Sequence, residues 1–464
     1  MKKVLFTMLL IMTAIITYGQ VTYYWVGGTA PTTSITIGTN WNSSLDGTGN
    51  SRPSSSGTSD ILVIDGTNVG GATPATGTVA MLVNGSISCA QFKFVNNASA
   101  TFVRAATGTS TITIAGEVGE DFVIEAGSTL SCISPTGSIR IAMGATNTGR
   151  VSGTLNINTP LQMRFDNTTA GSPGSFVFTN GASFSTNITA SSSSYAFGSG
   201  TQSSEKWVVF QSGAHLYYNG GYSPMGGTST YSAIDFKPGS VWHHRANNGL
   251  GSFFNRKSFG HIIVENNATL TADGTIYRIG DLTVNAGSTF VTYTSGQTVV
   301  LGNLVVNGTM TSDVASTNEL IMGGGAATSI TGSGTIDIAG LIIAGNAQVS
   351  LGKNINLIQS AKVYGHLNFA TNQLTGPAAF SAFGIEATQN GTGNTSNGSF
   401  LITGNTLIPV GARGQNISGA GIAPNTSIVS FSFTLDTIYI SQPATATGAA
   451  VALTVNTSGA TLQT

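Results

Sequence analysis

The sequence has few charged residues. It contains 17 lysines and arginines against 18 aspartates and glutamates in 464 residues. This balance provides no basic surface for nucleic acid and no cationic face for a membrane. Disorder is not indicated, because 40% of the residues are hydrophobic. Beyond the N-terminus, no run approaches about 18 consecutive apolar residues, and no segment keeps a capped 3.6-residue apolar stripe. The sequence therefore predicts no membrane-spanning helix and an all-β fold.

Cysteine is also scarce, with only Cys89 and Cys132 present. Each follows a large apolar residue by two positions, which predicts equivalent places in successive turns of one architecture. If two coils about 4.8 Å apart separate the cysteines, their Cα atoms are too distant to bridge. If the chain is exported, as its N-terminus predicts, it meets an oxidising environment in which a disulfide could form. Two buried thiols and one disulfide therefore both remain open.

The N-terminus reads MKKVLFTMLLIMTAIITYGQ, with two lysines, an apolar run to about Ile16 and small residues before Gln20. These are the parts of a secretory signal peptide, which we assign to residues 1–19. The sequence thus predicts a secreted or cell-surface protein.

One short cadence recurs along the chain: an apolar residue, two variable residues, Gly or Asn, a small residue, a variable residue and a large apolar residue. Gly and Asn reach the left-handed backbone region at low cost, so each copy predicts strand, tight turn, strand. Shorter versions lack two residues. The long copies are VNAGSTF from Val284, IEAGSTL from Ile124, FTNGASF from Phe178, FQSGAHL from Phe210, FKPGSVW from Phe236, VENNATL from Val264 and IAGNAQV from Ile343, and the short ones are VNGSI from Val83, VSGTL from Val151, VNGTM from Val306 and VYGHL from Val363.

Most turns lie about 20 to 30 residues apart, which is the period of a solenoid. A strand-turn unit cannot bury its apolar face alone, whereas stacked units share a continuous core. We predict a right-handed parallel β-helix, with a string of small β-sandwiches as the alternative. Val284, Val264 and Phe236 are then expected in one column. Asn267 and Asn346 are expected to form part of an asparagine ladder.

Composition divides the chain further. Residues 20–80 precede the repeats and are predicted to cap the β-helix, with Tyr24, Trp25 and Trp41 closing its lumen. The repeats predict the β-helix over residues 81–385. The polar, glycine-rich stretch 386–398 reads as a linker, and residues 399–464 as a small β module.

The opening YYWVGG and the later NW, combined with the signal peptide and repeats, resemble the openings of large surface proteins that Gram-negative bacteria secrete by the type IX route. That resemblance implies a C-terminal sorting domain, which the final NTSGATLQT does not contain. We therefore expect either a longer natural protein or another export route. The stretch VGARGQNISGAGIAPNTSI resembles a small β module of bacterial surface and phage tail proteins. Its matching residues are Val410, Gly411, Gly419 to Ile422, Pro424 and Thr426 to Ile428.

Recognisable zinc, Walker, nucleophile-elbow and calcium motifs are lacking, so neither a cofactor nor a metal is predicted. Polysaccharide-active enzymes on a β-helix need clustered carboxylates. The closest group is Glu117, Glu120, Asp121 and Glu125, which we interpret as solvated turn charges.

The region from Tyr195 to His261 contains 13 aromatic residues and four of the five histidines. Sugars stack on aromatic rings while His, Arg and Asn bond their hydroxyls, so a glycan surface is one hypothesis. Core packing is the other, because alternation along a strand sends half of each YY or WHH group inward. An acid and base role for His243 or His261 is a further alternative. The candidate ligand residues are Tyr217, Tyr218, Tyr222, Trp242, His243, His244 and Arg245.

The sequence thus predicts an exported structural or adhesive surface protein whose partners are extracellular glycans or host or environmental surfaces. The alternative is a polysaccharide lyase or glycoside hydrolase on the same scaffold. Two carboxylates converging with a His, Lys or Arg in a cleft would favour the enzyme.

Overall fold

The computed structural model describes residues 20–28, 33–53, 57–67, 78–116, 119–133, 137–144, 146–157, 163–167, 173–188, 195–198, 206–221, 223–225, 232–247, 257–272, 276–292, 294, 296–312, 315–345, 347–376, 379–382, 389–405, 414–432, 437–456 and 461–463. The predicted signal peptide, residues 1–19, lies outside them. Within these ranges the chain is all-β apart from one 3-10 turn, Gly38–Asn40. It forms two compact units, residues 1–177 and 178–464.

Unit 1 is a parallel β-helix of short strands in three stacks. One stack runs β1, β3, β6, β9, β12, the second β4, β7, β10, β13, and the third β5, β8, β11, β14. The strands are β1 (Thr22–Trp25), β2 (Trp41–Asn42), β3 (Ile61–Asp65), β4 (Val79–Leu82), β5 (Ile87–Cys89), β6 (Gln91–Val95), β7 (Ser99–Val103), β8 (Thr109–Ile114), β9 (Phe122–Ile124), β10 (Thr129–Ile133), β11 (Ser138–Met143), β12 (Gly149–Val151), β13 (Thr154–Ile157) and β14 (Met163–Asn167), and β15 (Phe176–Phe178) contains the unit boundary.

The predicted cap, residues 20–80, already contains the first parallel strands of the unit 1 β-helix. Strand β1 pairs in parallel with β3, and its other edge pairs antiparallel with β2. Trp25 and Trp41 are buried, as expected, with ring centroids 5.1 Å apart. The prediction for Tyr24 is wrong, because alternation places Tyr23 and Trp25 on the inner face and leaves Tyr24 half-buried.

Cys89 and Cys132 are both buried and free. Their predicted equivalence is wrong. Cys89 pairs with Ile114 in the third stack, whereas Cys132 pairs with Phe102 in the second. The turn before Cys89 joins the second stack to the third, and the turn before Cys132 joins the first to the second, so one cadence serves two corners.

Unit 2 is also a parallel β-helix, with strands in three stacks. Stack 1 contains the first halves of β21 and β23, then β25, β28, the second halves of β30 and β32, and β35. Stack 2 contains β16, β18, β20, the second halves of β21 and β23, then β26, β29, β31, β33 and β42. Stack 3 contains β22, β24, β27, the first halves of β30 and β32, and β34.

The strands of the unit 2 β-helix are β16 (Ser183–Ile188), β17 (Val208–Phe210), β18 (His215–Gly221), β19 (Ile234–Phe236), β20 (Val241–His244), β21 (Ser258–Val264), β22 (Thr269–Ala272), β23 (Ile276–Val284), β24 (Thr289–Thr292), β25 (Gln297–Val300), β26 (Leu304–Val306), β27 (Thr309–Ser312), β28 (Glu319–Met322), β29 (Ala327–Thr331), β30 (Thr335–Ile343), β31 (Gln348–Leu351), β32 (Ile355–Val363), β33 (His366–Asn368), β34 (Leu374–Thr375), β35 (Ala379–Ala382) and β42 (Thr461–Gln463).

The expected column of Val284, Val264 and Phe236 is only partly correct. Val264 pairs in register with Val284, but on its other side it pairs with His244 instead of Phe236. Strand β21 runs from stack 1 into stack 2 without a turn, and Gly260 lies at this corner. Gly260 is so close to the neighbouring coil that a Cβ would strike backbone carbonyls. From Val264 to Val306 the cadence therefore marks the corner from stack 2 to stack 3, whereas after Ile343 it leads from stack 1 into stack 2.

The turn residues have two physical roles. Gly287 has φ +78° and Asn267 has φ 56°, which confirms the left-handed turn in these long copies. Gly308 in a short copy has no positive φ, and a Cβ there would strike the carbonyl oxygens of Ser288 and Asn285. Against Gly287 lies the side chain of Asn267, so asparagine here packs on glycine. Asn346, the predicted partner in an asparagine ladder, lies outside the described residues.

The C-terminal module is two small antiparallel sheets, one of β36, β38 and β41 and one of β37, β39 and β40. Its strands are β36 (Gln389–Thr395), β37 (Leu401–Ile402), β38 (Asn416–Gly419), β39 (Ile428–Ser432), β40 (Thr437–Ile440) and β41 (Gly448–Asn456). The linker prediction for 386–398 is therefore wrong over β36, which pairs with β41 except at Asn394. After the module, β42 returns to pair with β33 of the β-helix, so the module is an insertion.

The module packs on the outer face of stack 1. Arg278, Val299, Ile321 and Ile342 pair in register on successive strands and point away from the lumen. The three apolar residues are nevertheless fully buried. Gly414 lies so close to Ile342 that a Cβ would clash, and its carbonyl accepts a 2.6 Å hydrogen bond from an amide of the β-helix. This cover explains why strands of stack 1 are apolar on both faces. Of the residues that resemble the surface-protein module, Val410 and Gly411 lie outside the described residues.

Candidate functional site

Alternation along β18 and β20 sorts the predicted ligand residues into two sets. Tyr217 and His243 pair in register and point outward, each half-buried. Tyr218, Trp242 and His244 point inward and are fully buried.

The inner set corrects the sequence-based site. Tyr218 stacks against His244 with ring centroids 5.3 Å apart, and the ring of Trp242 packs on Phe236 and Phe259. These three predicted ligand residues fill the lumen and present no surface. Their bulk matches the wide coils here, since β18 and β20 are 26 residues apart in register. Tyr222 lies outside the described residues.

The outer set joins two residues that the prediction did not include. We call His215, Tyr217, His243, Arg245 and Glu265 the outer platform. Nδ1 of His215 lies 3.0 Å from Nε2 of His243, and Nδ1 of His243 lies 3.1 Å from Oε1 of Glu265. Nε of Arg245 donates to the same carboxylate oxygen at 2.5 Å. A continuous chain of hydrogen bonds therefore crosses three neighbouring coils.

Aromatic stacking orders the same side chains. The rings of Tyr217 and His243 are 4.3 Å apart at 21° between planes. The guanidinium carbon of Arg245 lies 4.3 Å from the centre of the Tyr217 ring, a cation–π geometry. In the same coil, the ring planes of His215 and Tyr217 differ by only 12°. The nearly parallel rings of His215 and Tyr217 therefore project from β18, which pairs with a neighbouring strand on each edge.

Burial affects the protonation of two outward histidines, His243 and His261. It lowers the pKa of His243 to about 4, although the nearby carboxylate of Glu265 opposes the shift. His261, the neighbouring outward histidine of β21, also has its pKa lowered by burial, and its Nε2 lies 3.0 Å from the Thr283 hydroxyl. At neutral pH the His243 imidazole is therefore uncharged, and the carboxylate of Glu265 is paired with Arg245.

The two platform residues that the prediction missed differ in how detectable they were. His215 has the same parity as Tyr217 on one strand, so alternation was sufficient to include it. In the repeated turn motif, Glu265 occupies the same position as Lys237, directly after the first apolar residue. Glu265 lies beside Arg245 only because β21 has no turn at Gly260. The backbone amide of Glu265 accordingly donates to the His244 carbonyl at 3.0 Å.

The acidic group of unit 1 has structural partners. Glu120 pairs with Arg150 at 2.6 Å, and buried Asp121 accepts from the Thr148 amide at 2.8 Å. Glu125 lies 3.4 Å from the Asn96 amide. Glu117 lies outside the described residues. The carboxylates whose positions are described are thus used in joining coils.

Metal sites, membrane-spanning helices and cavities are the other features of the described residues that bear on function. No group of three or more His, Cys, Asp or Glu side chains among them is arranged to hold a metal ion. No helix in the described ranges is long and apolar enough to cross a membrane. A cavity of about 280 Å³ near the last coils of unit 2 is lined mainly by apolar side chains such as Leu357, Phe369 and Phe380. The outer platform is the candidate site, because it combines aromatic rings, hydrogen-bonding groups and an ion pair.

Comparison of the chain with protein-family models, curated proteins and solved structures finds no match.

Proposed function

We propose that this protein is an exported structural and adhesive protein of a bacterial surface, and that the outer platform contacts glycans. The observation that carries the proposal is the parallel pair of half-buried rings, His215 and Tyr217, beside the donors and acceptors of His243, Arg245 and Glu265. Saccharides need this combination, because their C–H faces stack on rings while their hydroxyls require hydrogen-bond partners.

The scaffold supports an adhesive role. A ligand face built on paired strands is more rigid than one built on loops, so binding costs little conformational entropy. The signal-like N-terminus and the resemblance of YYWVGG to type IX surface proteins support export. N-terminal sequencing of the secreted chain tests that part, and a mature protein starting at Gln20 is expected.

A glycan array probed with the purified protein tests adhesion. Tyr217→Ala should abolish or strongly reduce binding. Tyr24→Ala, which truncates a half-buried tyrosine in unit 1, is the matched control and should bind as the parent does. Circular dichroism and thermal melting establish that both variants are folded. The proposal is wrong if the parent binds no glycan, or if the two variants bind equally well.

The enzymatic alternative is supported in part, because Glu265, His243 and Arg245 bring an imidazole and a guanidinium to one carboxylate, whereas two carboxylates were expected of such an enzyme. A hydrolase or lyase acting here would release new chain ends from a polysaccharide. Glu265→Gln would then abolish release while leaving the fold intact. Binding without release supports the adhesive proposal over the alternative.

A further inference from the structure

The hydrogen-bond chain of the outer platform has a direction. Oε1 of Glu265 accepts from Nε of Arg245, so it acts as an acceptor toward His243 as well. Nδ1 of His243 must therefore carry the proton that it shares with Glu265. In an uncharged imidazole the other nitrogen, Nε2, is then an acceptor. Burial, which lowers the pKa of His243 to about 4, favours this uncharged form.

The direction extends to His215. Because Nε2 of His243 accepts, Nδ1 of His215 must donate across their 3.0 Å contact. The neutral tautomer of His215 then presents the lone pair of Nε2. Within the described ranges this nitrogen has no hydrogen-bond partner. The side chain is only partly buried, so an acceptor stands beside the ring of Tyr217.

Charge on the platform is already neutralised. Arg245 is the only permanent cation among its five residues, and it is paired with Glu265 at 2.5 Å. Recognition of an acidic sugar needs an unpaired cation, preferably a guanidinium that can bind bidentately. On the other side of β18, Ser183 and Ser185 pair in register with His215 and Tyr217, so the neighbouring coil presents short side chains at these two positions.

We propose that the outer platform selects an uncharged saccharide, which donates a hydroxyl to Nε2 of His215 and packs a C–H face on Tyr217. The inference rests on the glycan-binding function proposed above and names its ligand class. His215 is the contacting acceptor, and Glu265 and His243 are positioning residues that set its tautomer.

Binding measurements with the full chain test the ligand class. The probes are uncharged oligosaccharides and matched oligosaccharides containing uronic acid or sulfate, each at low and high salt. We expect the uncharged probes to bind with little salt dependence. His215→Asn keeps a donor at the Nδ1 position but lacks the outward acceptor, so affinity should fall about 3- to 10-fold. The control His366→Asn, in β33 of the same stack, should not change affinity.

A ligand-independent measurement tests the relay. Spectra of the protein with 15N-labelled histidine report which imidazole nitrogen is protonated. We expect Nδ1–H on both His215 and His243 at pH 7, with His243 unchanged in His215→Asn and altered in Glu265→Gln. A proton on Nε2 of His215 in the parent overturns the proposal.

The outcomes separate the two proposals. Preferential binding of acidic probes that weakens with salt, or unchanged affinity in His215→Asn, overturns the ligand class and leaves glycan adhesion standing. Absence of binding to every glycan refutes the proposed function itself.

Discussion

Replacing Gly308 with alanine tests whether coil contact, and not only backbone conformation, explains the recurring glycine. Gly308 has no positive φ, so alanine fits its backbone conformation, and such a replacement ordinarily stabilises a protein slightly. Here the new Cβ would strike the carbonyl oxygens of Ser288 and Asn285 in the coil below. Neither carbonyl can swing away as the end of a side chain does.

The magnitude follows from what must move. Relief requires separating the two coils where three amides hold them together. The amides of Asn307 and Gly308 donate to the Val284 carbonyl at 2.8 and 3.1 Å, and Thr309 donates to Ser288 at 2.9 Å. At about 0.5–1.5 kcal/mol each, losing these three bonds destabilises the coil by about 2–4 kcal/mol. Gly181→Ala is the control: its φ is +80° with nothing near its Cβ position, so only the left-handed cost of about 1 kcal/mol applies.

Native-state hydrogen exchange is the suitable assay, because stacked repeats open locally and need not unfold as one unit. The amide of Thr309 should exchange faster in Gly308→Ala by the factor equivalent to about 2–4 kcal/mol, whereas Gly181→Ala should leave it unchanged. Urea midpoints should fall further for Gly308→Ala than for Gly181→Ala. A neutral or stabilising Gly308→Ala would refute the argument from coil contact.

Three further predictions concern buried groups. Arg278→Ala removes a buried guanidinium whose Nε donates to the Ile440 carbonyl at 2.8 Å, so the module should loosen by about 2–4 kcal/mol and become sensitive to limited proteolysis while the β-helix stays resistant. Burial lowers the pKa of His244 from 6.5 to about 4, so the unfolded chain binds this proton first as pH falls; stability should drop by up to about 1.4 kcal/mol per pH unit across that window, and less steeply in His244→Phe. Burial raises the pKa of Cys89 to about 12 and that of Cys132 well above its usual value, so neither should react with a thiol reagent until the chain is denatured, when two thiols should appear. Equal rates of limited proteolysis of the module in Arg278→Ala and its parent, a flat pH profile, or one reactive thiol in the native chain would contradict the respective prediction.

Much of the fold followed from local rules. The turn cadence predicted strand, turn and strand because a left-handed residue must separate them, and φ +78° at Gly287 agrees. The period of the cadence predicted stacking, and the parallel register of Val264 with Val284 confirms it. The position of the module was not predictable. Its contacts join residues far apart in sequence, as Arg278 and Ile440 do, and the glycine-rich composition of β36 concealed a paired strand.

The candidate site was predictable only in outline. Its location on β18 and β20 followed from the density of aromatic and histidine residues, and alternation predicted that Tyr217 and Tyr218 point to opposite faces. The choice between the two parities was not made at the level of sequence, so three lumen residues entered the predicted site. Glu265 was out of reach, because its contact with Arg245 depends on the coil boundary at Gly260.

The sequence by itself determined the all-β class, the solenoid and the alternation of inward and outward side chains within each strand, since these depend on short-range sterics and on a period that the chain repeats. Tertiary structure alone decided which corner each turn occupies, where the C-terminal module packs and which side chains of different coils meet. A corner can be formed by a left-handed turn or by a straight strand over a glycine, and both are locally acceptable. Only the stacking of one coil on the next selects between them, and that selection brings Glu265 to His243 and Arg245.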